Sequence, residues 1–244
     1  MKKLYQKEWQ NISFRSFYKT SSTDLADANF YDAFYQALFN KYPNYDALDP
    51  SWRRSKDEIV DWLATNLPDG ARVLSVGCGL GYMEQRLWRA HGERIELHVQ
   101  DDATQALQWL KQVLPAERIH QVVRPIGQFD LIYLSAVDYA MPEDDLVALL
   151  VSLRQSLRDG GAVLMISESF LEESLSQRIR LSAVDVVRWL LDKFGIRSRG
   201  QFWGWMRTRK EYLAVLRHAG FSDVMDGFIQ TPGFAHKYWV EGVR

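Results

Sequence analysis

The sequence predicts an α/β fold built around a mostly parallel β-sheet. Between residues 72 and 167 short apolar segments alternate with amphipathic helical ones, and the first apolar segment runs directly into a glycine-rich turn. Strands that are separated by helices need crossover connections, and such connections join parallel strands. The chain has 244 residues, 47% of them hydrophobic and 25% charged, which is enough for one such domain with an added cap.

Hydrophobic periodicity predicts the elements of the central region and of the C-terminal part. The predicted strands lie at residues 73–76, 95–99, 119–123, 129–134 and 162–166. The predicted helices between them lie at 82–90, 103–113 and 143–157, with a break at residues 159–161. Downstream, the pattern predicts a helix over 171–194, an aromatic loop at 201–205, a helix over 209–218, and strands at 224–229 (interrupted by Asp226 and Gly227) and 234–240.

The N-terminal zone, residues 1–68, is predicted to be a helical cap that is rich in aromatic residues. Residues 22–24 supply candidate N-caps for its first helix, which carries two adjacent apolar stripes, one from Phe30 to Leu38 and one from Tyr31 to Phe39. Two stripes need two packing partners, so this helix should contact more than the body of the domain. A second helix begins near Ser51 and ends at Asn66. We therefore predict a cap over 1–68 and a core domain over 69–244, with a lid-forming insert at about 168–208.

Composition excludes several classes of function. The formal net charge of -1 argues against extensive binding of nucleic acid, which needs a basic face. No apolar run approaches the length of a membrane span, and the N-terminus lacks the apolar stretch of a secretory signal. A single cysteine, Cys78, excludes an internal disulfide, so we expect a reducing, cytoplasmic location. The five histidines show no metal-ligand spacing, so we predict no metal site.

The strongest functional signal is the glycine turn after the first predicted strand. Gly77, Gly79 and Gly81 let the backbone bend sharply and let a ligand approach the main chain without an intervening Cβ. The following helix directs its partly positive end at that ligand, as in sites for nucleotide-like cofactors. A dinucleotide fingerprint needs glycine where this chain has Tyr82, and no P-loop lysine follows. A nucleotide-dependent oxidoreductase is therefore the less favoured alternative, and a purely structural turn is a further one.

From residue 52 to 221 the sequence resembles the class I S-adenosylmethionine-dependent methyltransferases. Residues 73–81, VLSVGCGLG, match the first motif of that family, and Asp101 matches its ribose-binding acid. Residues 129–135, 157–164 and 211–221 resemble its fourth strand, the turn into its fifth strand and its last helix. The resemblance implies a Rossmann-like sheet of seven mostly parallel strands with an antiparallel last strand, helices on both faces, and S-adenosylmethionine as cofactor.

The resemblance also implies which residues hold the cofactor. A carboxylate accepts two charge-assisted hydrogen bonds from a vicinal diol, although an acid at a strand end is often simply solvated. The chain departs from the family at Ser75, where members often carry an acid near the methionine amino group, and the pair that would hold adenine is missing. The implied cofactor-binding residues are Gly77, Cys78, Gly79, Gly81 and Tyr82 in the turn, Asp101 with Asp102 as its register alternative, Ser135, Ala136 and the upstream Arg54, which is otherwise part of an exposed basic face.

The remaining residues indicate a small-molecule or saccharide acceptor. The chain lacks the Pro-Pro-aromatic motif that nucleic-acid amino methyltransferases carry after the fourth strand. Its aromatic cap and insert occupy the positions where small-molecule members of the family form a substrate lid, and aromatic rings pack well against flat organic acceptors. Trp203 and Trp205, in the predicted loop, are lid candidates, although aromatic residues are more often part of a core.

Three residues are candidate catalytic bases. Asp138 and Tyr139 follow the fourth strand, where the methyl group should point, and His236 lies in the last predicted strand. A base is required only if the acceptor must first lose a proton. We expect O-methylation in preference to N-methylation. Because Ser75 replaces the usual acid and the adenine-binding pair is missing, a regulatory protein that binds the cofactor without catalysis is an alternative. The sequence does not predict an oligomeric state.

Overall fold

A computed structural model describes residues 1–17, 25–103, 105–121, 128–172, 183–184, 186–187, 189–195, 200–231, 233 and 235–244. Its helices are α1 (Ala28–Lys41), α2 (Pro50–Asn66), α3 (Tyr82–His91), α4 (Glu143–Gln155) and α5 (Arg209–His218). Its strands are β1 (Lys2–Gln6), β2 (Glu8–Trp9), β3 (Ile12–Ser13), β4 (Arg72–Val76), β5 (Glu96–Gln100), β6 (Ile119–His120), β7 (Phe129–Ser135), β8 (Leu157–Ser167), β9 (Gln201–Met206), β10 (Asp223–Ile229) and β11 (Lys237–Val243).

The central sheet has seven strands in the order β10-β11-β8-β7-β4-β5-β6. The five strands from β8 to β6 are mutually parallel. The last strand of the chain, β11, lies between β8 and β10 and runs antiparallel to both. The predicted fold class is therefore confirmed, including the antiparallel last strand.

Alternation along the strands creates two aliphatic cores, one on each face of the sheet. On one face Val73 of β4 belongs to a cluster with Ile59 of α2 and Leu87 of α3. On the other face Leu74 belongs to a cluster with residues of α4 and α5, among them Leu150. Successive side chains of a strand point to opposite faces, so each central strand serves both layers. Burial of each such side chain contributes roughly 1.5–3 kcal/mol, which holds the helices on both sides.

A third cluster is an aromatic cap that joins the N-terminal part of the chain to strand β9. Strand β1 pairs antiparallel with β9, so that Lys2 lies opposite Met206. The ring of Phe14 stacks on Trp203 with 4.8 Å between the ring centroids, and it meets Phe34 of α1 edge-on. The prediction that residues 1–68 are helical is wrong for their first part, and the predicted loop at 201–205 is strand β9. Each strand forms only because the other supplies its hydrogen bonds, and no local pattern reports such a distant partner.

Helix α1 begins later than its predicted caps suggest. Its N-cap is Asp27, whose carboxylate accepts a hydrogen bond from the amide of Phe30 at 2.8 Å. The candidates at 22–24 lie outside the described residues. Helix α5 has the predicted bounds, and a capping box between Thr208 and Glu211 explains its sharp start.

The helix predicted over residues 103–113 is replaced by short 3₁₀ turns at Ala106–Gln108 and Leu110–Gln112. Leu107 and Leu110 are buried in the aliphatic core with α2 and α3, whereas the buried Trp109 belongs to a different cluster, the aromatic one. A segment that packs on several sides folds around its neighbours, and tight turns accommodate this better than a helix with one apolar face.

Three strand predictions also change. Strand β8 begins at Leu157 and includes the two glycines that were expected to separate the preceding helix from the strand. A Cβ on Gly161 would lie 2.7 Å from the Phe129 carbonyl oxygen, so glycine allows close pairing there. Strand β10 continues through Asp226 and Gly227 without interruption. Strand β11 begins at Lys237, three residues after its predicted start.

The predicted helix over 171–194 lies largely outside the described residues, although the described positions between 183 and 193 are helical. The boundaries of the cap and of the insert remain predictions. Within the described part of the chain, no helix combines the length and apolarity needed to cross a bilayer.

Candidate active site

A cavity of about 270 Å³ lies where the carboxyl ends of β4, β7 and β8 meet the cap. Ligand sites of open α/β sheets occur at this edge. The core contributes Ser75, Gly77, Cys78, Gly79, Leu80, Gly81, Tyr82, Met83, Glu84, Ser135, Ala136, Tyr139, Glu168 and Ser169. The cap layer and α2 contribute Leu4, Gln6, Trp9, Tyr31, Phe34, Tyr35, Trp52, Lys56 and Trp203.

The glycine turn forms the floor of this cavity, and all five of its predicted cofactor-binding residues line it. Gly79 and Gly81 have φ angles of 56° and 71°, a region that side chains with a Cβ rarely adopt. A Cβ on Gly81 would lie 2.1 Å from the side chain of Leu110, and one on Gly79 would lie 2.8 Å from the Tyr35 hydroxyl. The turn therefore needs glycine both for its conformation and for its packing, while α3 directs its free amides at the cavity.

Asp101 stabilises the glycine turn through hydrogen bonds to its carboxylate. Its carboxylate accepts hydrogen bonds from the amides of Gly79 at 2.7 Å and Ala103 at 2.9 Å. Only 9% of Asp101 is exposed, and burial raises the pKa of its carboxyl group. Asp101 does not line the cavity. The Tyr35 hydroxyl lies next to Gly79, and the negative charge of Asp101 adds to the effect of burial in raising the pKa of Tyr35. Asp102 is exposed and accepts a hydrogen bond from the Gln100 side chain.

Ser135 and Ala136 line the cavity at the end of β7, as predicted for cofactor contacts. The Ser135 hydroxyl is buried and has no hydrogen-bond partner among the described residues. Ala136 has a φ of 56°, which is strained for a residue with a Cβ. An unpaired buried hydroxyl beside a strained backbone at a cavity wall indicates a place where a ligand supplies the missing partner.

Arg54 lies outside the cavity. It is exposed on α2, and the neighbouring Arg53 pairs with Asp46 at 3.4 Å. One half-turn further along the helix, Lys56 faces the cavity with 8% of its side chain exposed. The spacing from Trp52 to Lys56 places both residues on one face of α2, and it is the sequence signal that points to Lys56 as the cation of this helix that lines the cavity.

Lys56 belongs to an ion-pair group at the end of β8. Its ammonium donates to Glu168 Oε1 at 2.6 Å, and Lys237 lies 3.5 Å from the same oxygen. Loss of water contact would raise the pKa of Glu168, but the charges of the two lysines lower it to about 2. Glu168 is therefore ionised at neutral pH and is a weak base.

Glu84 is a residue that the sequence analysis missed. It lies in the first turn of α3, is 3% exposed and lines the cavity. Its Oε1 atom accepts hydrogen bonds from the Ser75 hydroxyl and the Tyr133 hydroxyl, each at 2.7 Å. Burial raises the pKa of its carboxyl group. The available signal for Glu84 was an acidic residue next to Met83, at a position that α3 buries, because acidic residues are rarely buried without a role.

Two of the three candidate catalytic bases do not reach the cavity. Asp138 is fully buried behind it, where its carboxylate accepts hydrogen bonds from the hydroxyls of Tyr212 and Ser167. His236 is exposed before β11, and its Nδ1 accepts a 3.4 Å hydrogen bond from the Thr231 amide. Asp138 thus anchors the loop behind the site, and neither placement fits a base acting on a substrate in this cavity.

Tyr139 does line the cavity, with its ring stacked on Trp203 at 5.9 Å between centroids. Burial raises its pKa well above the ordinary value, and the hydroxyl donates a hydrogen bond to Tyr31. Tyr139 therefore stays protonated at neutral pH. It can position an oxygen atom but is a poor base.

The parallel sheet, the glycine turn and the cavity at its edge define a cofactor-binding enzyme of the α/β class. The profile of the family described as "Methyltransferase domain" matches residues 48–225, and the chain therefore belongs to this family. The expectation of a class I S-adenosylmethionine-dependent methyltransferase is confirmed, in its enzyme type and in its cofactor.

Solved structures of low sequence identity share the fold. Magnesium protoporphyrin IX methyltransferase from Synechocystis PCC 6803 is 20% identical with a TM-score of 0.52, over 79% of this chain and 82% of that one. Human N-acetylserotonin methyltransferase is 20% identical with a TM-score of 0.60, over 95% of this chain and 62% of that one. The pyocyanin biosynthetic protein PhzM is 19% identical with a TM-score of 0.54, over 77% and 55%. This chain thus spans less than two thirds of the latter two proteins. A search of curated proteins finds no significant match.

Proposed function

We propose that this enzyme transfers the methyl group of S-adenosylmethionine to an oxygen atom of a small, ring-containing acceptor. The observation that carries the proposal is that one cavity extends from the glycine turn to an aromatic wall of the cap. The named substrates of the structural neighbours are small organic molecules, which agrees with it. The near-neutral charge of the chain agrees with the prediction that nucleic acid is not the acceptor.

The residues of the turn fit the amino-acid end of the cofactor. Gly77 and Gly79 leave the main chain open to close approach, and the Ser135 hydroxyl lacks a partner that a ligand can supply. We assign to Lys56 the carboxylate-binding role that the sequence suggested for Arg54, because Lys56 alone of these two lines the cavity. When bound, the cofactor supplies an activated methyl carbon on a sulfonium sulfur.

Asp101 remains the proposed ribose-binding residue. Its carboxylate sits directly beside Gly79, at the same edge of the sheet as the turn. The Tyr35 ring has to shift for a diol to reach it, because the Tyr35 hydroxyl occupies the space next to Gly79. Helix α1, which carries Tyr35, is therefore part of the proposed donor site as well as of the cap.

The cap side of the cavity fits a flat acceptor. Trp9, Trp52 and Trp203 supply large apolar faces, and ring-to-ring packing favours planar molecules. Enclosure by these rings excludes water and aligns acceptor and donor, which is the main contribution that methyl transfer requires of a protein. Tyr139 provides a hydroxyl that can hold an acceptor oxygen in place.

The described wall of the cavity contains no histidine; of its two acidic residues, Glu168 is a weak base, and the Oε1 atom of Glu84 already accepts two hydrogen bonds. An acceptor that keeps its proton at neutral pH would find little help here. The composition of the wall therefore favours oxygen atoms that ionise by themselves, such as those of acidic phenols, enols or carboxylic acids, over sugar hydroxyls. The expected O-methylation is thereby narrowed to oxygen atoms that ionise readily, and saccharides become the less favoured class of acceptor.

Initial-rate assays with S-adenosylmethionine and a panel of phenols, carboxylic acids, amines and saccharides test the proposal. We expect S-adenosylhomocysteine to form only with planar acidic acceptors, and mass spectrometry to find the added methyl group on oxygen. Across a series of substituted phenols, the midpoint of the pH-rate profile should follow the pKa of the acceptor. A midpoint that stays constant across the series would indicate a protein base and contradict this reading. Transfer to nitrogen, or binding without any turnover, would favour the alternatives.

A further inference from the structure

Glu84 is an acid in the cavity wall whose carboxyl group is held by hydroxyl groups. Ser75 of β4 and Tyr133 of β7 are direct partners in the parallel register, and both donate to the same oxygen of Glu84. Both donors are neutral hydroxyls. Among the described residues no lysine, arginine or histidine forms an ion pair with Glu84. The charge of Lys56 offsets part of the effect of burial on the pKa of Glu84, but its ammonium is bonded to Glu168 at 2.6 Å.

This arrangement is costly for a protein unless a ligand completes it. Removing an ionised carboxylate from water is unfavourable, and neutral hydrogen bonds offset only part of the cost. A purely structural role, such as interaction with the start of α3, is served by exposed acids at many helix ends and does not need burial. Burial raises the pKa of Glu84 because of this cost, and a cationic group bound beside it would favour the ionised form.

We propose that Glu84 binds the α-ammonium group of the methyl donor and makes the site select nucleosides that carry a free amino-acid tail. The inference rests on the proposed function, and it concerns the same cavity. Ser75 stands in the first core strand where the resembling family often carries an acid, and here its hydroxyl holds an acid that comes from the following helix. With Glu84 for the ammonium and Lys56 for the carboxylate, the wall offers one charge of each sign to a zwitterion.

Two ligands separate this role from a structural one. S-adenosylhomocysteine carries the ammonium, whereas 5′-methylthioadenosine has the same nucleoside and a thioether but no amino-acid tail. Calorimetric titration of both ligands compares the wild-type chain with Glu84→Gln, whose amide oxygen still accepts from Ser75 and Tyr133. We expect the affinity for S-adenosylhomocysteine to fall about 10- to 100-fold, as for loss of a charged hydrogen bond, and that for methylthioadenosine to change by less than about 3-fold.

The matched control is Glu93→Gln, which removes an exposed carboxylate just after α3 and should leave both affinities unchanged. Glu84→Asp keeps the charge on a shorter side chain, so its loss for S-adenosylhomocysteine should be smaller than that of Glu84→Gln. It also provides a folded comparison if the glutamine variant is unstable.

The outcomes are distinct. Equal losses for both ligands in Glu84→Gln and Glu84→Asp would show that Glu84 only shapes the turn, and an unchanged affinity for S-adenosylhomocysteine would place the ammonium elsewhere; either result overturns the inference and leaves the proposed function intact. If the wild-type chain bound neither ligand, both proposals would fall together.

Discussion

The sheet and the cap follow different rules of construction. The sheet has aliphatic layers in which strands and helices close in sequence pack together, such as β4 with α3. The cap consists of rings from residues far apart in the chain, such as Phe14 and Trp203, and its two-stranded ribbon joins β1 to β9. The glycine turn lies between the two regions, so the cavity has one wall made by local folding and another made by long-range assembly.

In the proposed function this difference separates donor binding from acceptor binding. The proposed donor contacts come mainly from the sheet edge, which two cores hold in place. The proposed acceptor contacts come mainly from the cap, whose stability depends on ring packing and on one ribbon. A cap of this kind can change its acceptor preference without disturbing the donor site, so substitutions in the two regions should have separable effects.

Trp203→Ala should have the largest effect. Trp203 is 7% exposed and contacts Phe14, Phe30 and Tyr139, so truncation should lower the free energy of unfolding of the cap by about 3–5 kcal/mol. Hydrogen exchange should then show lost protection in β1 and β9 but not in β4 and β7. The control Trp205→Ala removes a less buried ring from the same strand. Equal loss of protection in the sheet would mean that the two regions unfold as one unit.

Gly81→Ala should damage the sheet side. The new Cβ meets Leu110 at 2.1 Å in a left-handed conformation, so we expect a loss of about 2–4 kcal/mol in unfolding free energy and impaired binding of S-adenosylhomocysteine. Urea denaturation measures the first quantity and calorimetry the second. Gly70→Ala is the matched control, because Gly70 has a φ of 78° with nothing within 4 Å of the added Cβ. Similar losses in both variants would assign the effect to backbone strain alone.

Asp101→Ala should weaken binding of S-adenosylhomocysteine by about 1.5–3 kcal/mol, the range for charge-assisted hydrogen bonds. The loss combines the proposed contact to the ribose with the support that Asp101 gives to Gly79. Calorimetry on Asp102→Ala, which removes an exposed carboxylate from the next position, should show a far smaller change. A neutral result for Asp101→Ala would remove its role in the donor site.

A small pH effect should arise at the sheet edge, away from the cap. His98 Nδ1 lies 3.0 Å from His120 Nε2, and burial lowers the pKa of both histidines. Both pKa values are lower in the folded chain, so the stabilising contribution is present above pH about 6.5 and is lost as pH falls through the folded values. His120 is only partly buried, so solvent screening limits the effect to about 0.5 kcal/mol, or about 1–2 °C in Tm.

Thermal scans from pH about 7.5 to about 5.5 on the wild-type chain and His120→Gln measure this contribution. The wild-type Tm should fall more steeply than that of the variant, whereas His218→Gln, which alters an exposed residue, should follow the wild type. Parallel curves for all three proteins would contradict the assignment.

Local signals in the amino-acid sequence were enough to predict the sheet, the glycine turn and the class of cofactor. Apolar alternation, glycine spacing and helix caps are local signals, and the residues they select, from Gly77 to Tyr82, lie together along the cavity. The sequence also singled out Asp101, whose ribose-binding role stays a prediction; in the structure its carboxylate accepts a hydrogen bond from the turn.

Which charged groups face the cavity, and which residues cover it, depends on tertiary packing and could not be predicted from the sequence. Lys56 rather than Arg54 points inward because α2 packs on the sheet with one face, and Glu84 enters the site because Ser75 and Tyr133 lie side by side in two strands. Because β1 pairs with β9, the segment that was predicted to be a loop is a strand and forms part of the cavity wall. Such contacts join residues that are distant in sequence, and no pattern confined to one segment of the chain contains them.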